Sequence, residues 1–120
     1  MANPNIVNVT SILGKTAVLN VTTVATDIVS NAAASGNILK INNLIIANVD
    51  GTNSATITAS VYRSTVEYPL AFTITVPADA TLIIISKDTA VYLEEGDSIR
   101  LTASANGDLS AVCSYEIITS

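Results

Sequence analysis

The chain has 120 residues, about one domain's worth; 49% are hydrophobic, only 4% are aromatic, and there is no Trp. Charged residues make up 12%, against about 25% in ordinary soluble domains. The net charge is −5 and the cations Lys15, Lys40, Arg63, Lys87 and Arg100 are scattered, which excludes the phosphate-neutralising patch that nucleic-acid binding needs.

In chain order, residues 2 to 13 show loose alternation at Ile6, Val7, Val9 and Ile12 and predict an arm or edge strand, held extended at its start by Pro4 and Asn5. Gly14-Lys15 is a break. Thr16 to Thr23 alternates Ala17, Leu19 and Val21 with Thr16, Val18 and Asn20, and reads as a strand. Thr26 to Asn31 is a further short strand or an irregular crossing. Ala32-Ala33-Ala34 is too short to hold a helix, and Ser35-Gly36-Asn37 turns the chain.

Residues 37 to 62 read as a β-hairpin around which the rest is organised. In its second arm Ala55, Ile57, Ala59 and Val61 alternate with Thr56, Thr58, Ser60 and Tyr62, the period of two of a strand that buries one face. The first arm begins the same way and turns apolar on both sides at Leu44, Ile45 and Ile46, which predicts a strand covered on both faces. Asp50-Gly51 between the arms favours the positive φ of a tight hairpin turn.

Arg63 to Glu67 is a polar connection. Tyr68-Pro69 opens a strand with Leu70, Phe72, Ile74 and Val76 on one side. Pro77-Ala78-Asp79 is a turn, and Thr81 to Ser86, apolar on both sides, predicts a central strand. A loop at Lys87-Asp88-Thr89 and a short strand from Val91 to Leu93 follow. Glu94-Glu95-Gly96-Asp97 is a tight turn. The next strand, Ser98 to Ser104, has Ile99, Leu101 and Ala103 inward. Asn106-Gly107-Asp108 reads as a second hairpin turn before the last strand, Leu109 to Ile118. Eight or nine short strands without a helical window predict an all-β, antiparallel β-sandwich. The missing Trp and cysteine pair argue against an immunoglobulin pattern, so the sandwich is expected to be jelly-roll-like. Residues 1–14 form the arm or edge strand and 15–120 the single domain.

Function is less legible. With no His, the commonest general base and metal ligand is missing. The Ser and Thr residues have no activating partner, the acids sit in turns with no aromatic platform for a sugar, and no glycine-rich phosphate loop occurs; no enzyme activity or cofactor is expected. The acidic turn 94–97 could be a calcium loop, but it lacks the EF-hand spacing and reads better as a solvated turn; no metal site is expected. Cys113, on the face of Leu109, Ala111, Tyr115 and Ile117, reads as a small buried hydrophobe. The N-terminus has no basic start followed by an apolar core and so no signal peptide, and mean hydropathy of +0.52 comes in pieces too short for a membrane helix; no membrane partner is expected. Asn8-Val9-Thr10 and Asn20-Val21-Thr22 match the glycosylation pattern by chance in an Asn/Thr-rich chain. The partner-interface candidates are Ile6, Val7, Val9, Ile12 and Leu13, an arm able to add to a neighbour's sheet edge.

The run KINNLIIANVDGTNSATITASVY, followed by VPADATLIIISKDTAVYLEEGDSIRLTASANGDLSAVCSYEII, resembles small virion structural proteins of tailed bacteriophages, particularly cyanophages. The resemblance rests on turn-and-strand signatures over residues 37 to 118, and it brings no catalytic residues with it. It implies a β-sandwich component of the virion, made in the host cytoplasm. The expectation is a capsid decoration (cement) protein that binds the major capsid protein on the outer head lattice, as a homo-oligomer. The alternatives are a neck, tail or fibre subunit contacting other virion proteins and, against the scarcity of aromatics, a host-surface carbohydrate-binding module.

Overall fold

A computed structural model describes residues 4–119. Among these residues nine antiparallel strands form two facing sheets: β1 (Ser11–Val21), β2 (Thr26–Ser30), β3 (Asn37–Asn48), β4 (Ala55–Arg63), β5 (Val66–Val76), β6 (Thr81–Ile85), β7 (Val91–Leu93), β8 (Ser98–Ala103) and β9 (Leu109–Thr119). One sheet has the order β1-β9-β3-β6, with β7 also on β3; the other has the order β2-β8-β4-β5. The chain thus runs as one long hairpin, β4 on β5, β3 on β6, β2 on β8 and β1 on β9, wrapped so that β3 meets β9 and β4 meets β8. That is the jelly-roll pairing.

The core is the sum of the inward faces. Leu44, Ile46, Ile57, Ala59, Ile99, Leu101 and Cys113 are fully buried, each on the side its alternation assigns. A buried asparagine closes each end. Asn31 Nδ2 donates to the carbonyls of Asn37 (3.0 Å) and Leu93 (3.1 Å). Asn48 Nδ2 donates to those of Asn53 (3.0 Å) and Val76 (2.9 Å). Each satisfies backbone groups where the chain crosses between sheets, groups that would be costly to bury unpaired.

Several expectations change. The segment 37–62 is not a hairpin: β3 and β4 lie in opposite sheets, and Asp50-Gly51 is an inter-sheet crossing. Asp50 Oδ1 accepts the Thr52 N–H at 2.8 Å, and the positive-φ glycines are Gly36, Gly96 and Gly107, not Gly51. Asn106-Gly107-Asp108 does turn with Gly107 at φ 83, yet it also joins opposite sheets. Among the described residues, the sequence-adjacent strands that pair directly are β4 and β5. They meet at Ser64-Thr65, with φ 51 and 64, the conformation of a type I′ turn, so the expected polar connection is a two-residue hairpin.

Gly14-Lys15 is no break: β1 runs through it in unbroken register on β9, whose backbone pairing carries the strand across the glycine. The 81–86 run is not central; β6 pairs β3 alone and Ile83 is 61% exposed. The alternation of β5 is interrupted by register shifts and by Thr73 at φ 48, so that Leu70, Phe72 and Ile74 stay exposed and Val76 is buried. Lys87–Thr89 is one turn of 3-10 helix. The start of the arm is not extended: the Asn8 N–H donates to the Asn5 carbonyl at 3.0 Å, closing a turn.

Candidate interaction surface

The acidic turn is committed within the fold. Arg63 Nε donates to Asp97 Oδ1 at 2.8 Å, Arg63 Nη2 reaches both Asp97 and Glu94, and the Glu94 N–H donates to Asp97 Oδ2 at 2.9 Å. The Asp97 carboxylate beside it pushes the Arg63 pKa further up. Glu95 Oε2 accepts the Gly36 N–H at 2.6 Å. These carboxylates tie the β7–β8 turn to the end of β4 and to the β2–β3 crossing. No group of three or more His, Cys, Asp or Glu side chains among the described residues could hold a metal ion.

Cys113 is fully buried, and burial pushes its thiol up to about 12. It packs as a hydrophobe and carries little thiolate at neutral pH. No helix among the described residues is long and apolar enough to cross a membrane.

What the fold does expose is a row of aliphatic side chains. On the outer face of the five-stranded sheet, Val18 pairs with Val112, Val112 with Ile45, and Ile45 with Ile83. Each of these residues sits between inward neighbours that belong to the core, so the four side chains stand in one row across four strands. Val18 is 74% exposed, Ile83 61% and Val112 38%. The row above it is Asn20, Ser110, Ala47 and Thr81. The row below begins with Thr16 and Ser114, whose hydroxyls lie 3.2 Å apart, and continues to Asn43, which accepts the Ser114 N–H. None of these eleven side chains is charged. An aliphatic band set in neutral hydroxyl and amide groups can be covered by a neighbour without desolvating a charge.

Of the interface candidates, Ile6 (51%) and Val7 (91%) are exposed on the turn that precedes β1, and Val9 is half-buried beside it. Ile12 (56%) and Leu13 (52%) are exposed at the start of β1 on opposite faces of the strand. The structure does not bring these five into the aliphatic row. Sequence reading missed the row itself because its four members come from four separate strands. The signal is present in the two-sided apolar runs around Ile45 and Ile83, whose pattern predicts burial on both sides.

No family model matches the chain, and no curated protein matches it. Among solved structures it is similar to a chain described in the words "Bacillus endospore appendages form a novel family of disulfide-linked pili", with a TM-score of 0.52 over 91% of this chain and 88% of that one, at 13% identity. At that identity the likeness carries the fold alone.

Proposed function

We propose that this chain is a virion structural protein, a capsid decoration protein of a tailed phage that binds the outer head lattice and acts by contact, without catalysis. The observation that carries the reading is the uncharged aliphatic row Val18–Val112–Ile45–Ile83 on an open sheet face. Covering such side chains returns about 1–2 kcal/mol each before the cost of association, and the surrounding Thr, Ser and Asn can hydrogen-bond to a neighbour without a desolvated charge. The choice of particle rests on the sequence resemblance over residues 37 to 118. The solved structure with the similar fold is described as forming pili, which supports the use of this sandwich as an assembly unit. Its disulfide linkage has no counterpart here, because Cys113 is sealed in the core.

The five arm residues Ile6, Val7, Val9, Ile12 and Leu13 add a second, smaller contact. Ile6 and Val7 are exposed on the turn before β1, so replacing both by Ser keeps the sandwich folded; particle binding weakens, and unchanged binding rejects the arm's part.

Quantitative mass spectrometry of purified particles tests the reading. Copy numbers on the order of hundreds, following the symmetry of the head, are expected. A ring-sized number moves the same surface to a neck, tail or fibre subunit, and absence from the particle overturns the proposal.

A further inference from the structure

β1 lies at the end of its sheet, so one side of its backbone, Ser11 to Val21, has no strand partner among the described residues. We propose that this edge pairs with the same edge of a second copy, antiparallel about a two-fold axis at Val18, joining two five-stranded sheets into one.

Three features single out this edge. Its register on β9 has no shift, so no bulge interrupts the row of backbone groups on its free side. It contains no proline and one charge, Lys15. Self-pairing also uses the edge on both copies at once and closes the assembly, which a head-to-tail contact with another edge would not do.

Charge and packing then choose the register. Residues directly opposite in an antiparallel pair share a face of the sheet. A two-fold at Lys15 would set two ammonium groups against each other, which is destabilising. A two-fold at Thr16 would place Val18 opposite Gly14 and leave the valine without an apolar partner. A two-fold at Val18 sets Val18 against Val18, Ala17 against Leu19 and Lys15 against Val21, and separates the two Lys15 positions by about 20 Å along the strands. In that register the row Ile83–Ile45–Val112–Val18 runs on into the second copy. The two copies then present one doubled aliphatic band on the same side of the joined sheet, while Ile12, Leu13 and the arm stay outside the paired span. The role of the doubled band in particle binding rests on the function proposed above; the pairing itself does not.

Light scattering on the purified chain tests the pairing in the absence of any particle. The expected mass is twice that of the chain. Val18 is exposed, so V18K and V18D keep the fold by circular dichroism, and each alone runs at the mass of one chain. Mixed in equal amounts at low salt they return to the doubled mass, because position 18 faces position 18. Should either charged variant fail to fold, V18C with C113A supplies a second measurement: oxidation links two copies through residue 18, where opposite strands bring the Cα atoms about 4.5–5.5 Å apart. A wild-type chain that stays single at its highest soluble concentration, a V18K chain that still doubles, a V18K and V18D mixture that stays single, a V18C, C113A chain that does not cross-link, or a ladder of larger oligomers overturns the proposal. A doubled chain that never binds particles overturns only the function proposed above.

Discussion

The two sheets each end in a strand of 11 residues, β1 in one and β5 in the other, and the two edges are built differently. β5 carries Pro69, Glu67, two register shifts against β4, and Thr73 at φ 48. Each of these spoils a template for strand addition. β1 carries none of them except a single lysine, and its pairing with β9 is regular from end to end. Both edges expose apolar side chains: Tyr68, Leu70 and Phe72 on β5, and Ile12, Leu13 and Val18 on β1. Exposure alone therefore does not mark a contact edge. The difference lies in the backbone, which is blocked on one side of the molecule and open on the other.

The largest effect is expected where the blocked edge is anchored. Asp97 is buried and receives Arg63 and the Glu94 N–H. Asp97→Ala removes the acceptor of the Glu94 N–H and leaves the Arg63 guanidinium with Glu94 as its remaining carboxylate, which loosens the end of the β4–β5 hairpin. Arg63 is half-exposed, so water replaces part of the loss, and urea unfolding should show a decrease of about 2–3 kcal/mol.

Next comes the tip of that hairpin. Ser64 and Thr65 both hold left-handed φ values that suit Asn and Gly. Ser64→Asn with Thr65→Gly should stabilise the chain by about 1–2 kcal/mol in the same assay.

Replacing Pro69 by Thr sharpens the contrast directly. Stability should move by less than about 0.5 kcal/mol, as at other exposed positions. The unblocked β5 edge should nevertheless raise concentration-dependent light scattering, and unchanged scattering would mean that the bulges alone protect it.

The smallest effect concerns the opposite end, where Asp108 ends the turn into β9. Its carboxyl is raised above the ordinary value of 3.8 by partial burial and by Asp50 beside it, whereas Asp50 is lowered by the N–H groups of Thr52 and Asn53. A raised folded-state pKa favours the fold below the ordinary carboxylate range and loses that contribution as pH rises through the raised value. Asp108→Asn should therefore increase the melting temperature slightly at neutral pH and not in strong acid. The Asp50 contribution runs the other way, present at neutral pH and lost as acid protonates the carboxylate.

The sequence reading anticipated the strands and missed how they are shared out. Period-two alternation places β3, β4, β8 and β9 within a residue or two, because each buries one face and burial is what the pattern records. Alternation carries no information about which sheet a strand joins. Asp50-Gly51 and Asn106-Gly107 mark tight bends, and a bend between sheets uses the same residues as one within a sheet. The roles of Asn31 and Asn48 were hidden for a related reason: an asparagine beside a turn reads as a turn former, and its burial depends on strands far away in sequence. The contact surface was half visible. The arm candidates are legible as apolar residues of an arm or edge strand. The row, by contrast, arises only when four strands are laid in register, and two-sided apolar runs such as Leu44-Ile45-Ile46 look the same whether the second side is covered by the chain itself or by a neighbour.

Hydroxyl-radical footprinting of the free chain and of the chain on the particle measures the central claim most directly. Val18, Ile45, Ile83 and Val112 should be protected on assembly while Tyr68 and Phe72 on β5 keep their labelling. Equal labelling of the row in both states, with protection on β5 instead, would contradict it.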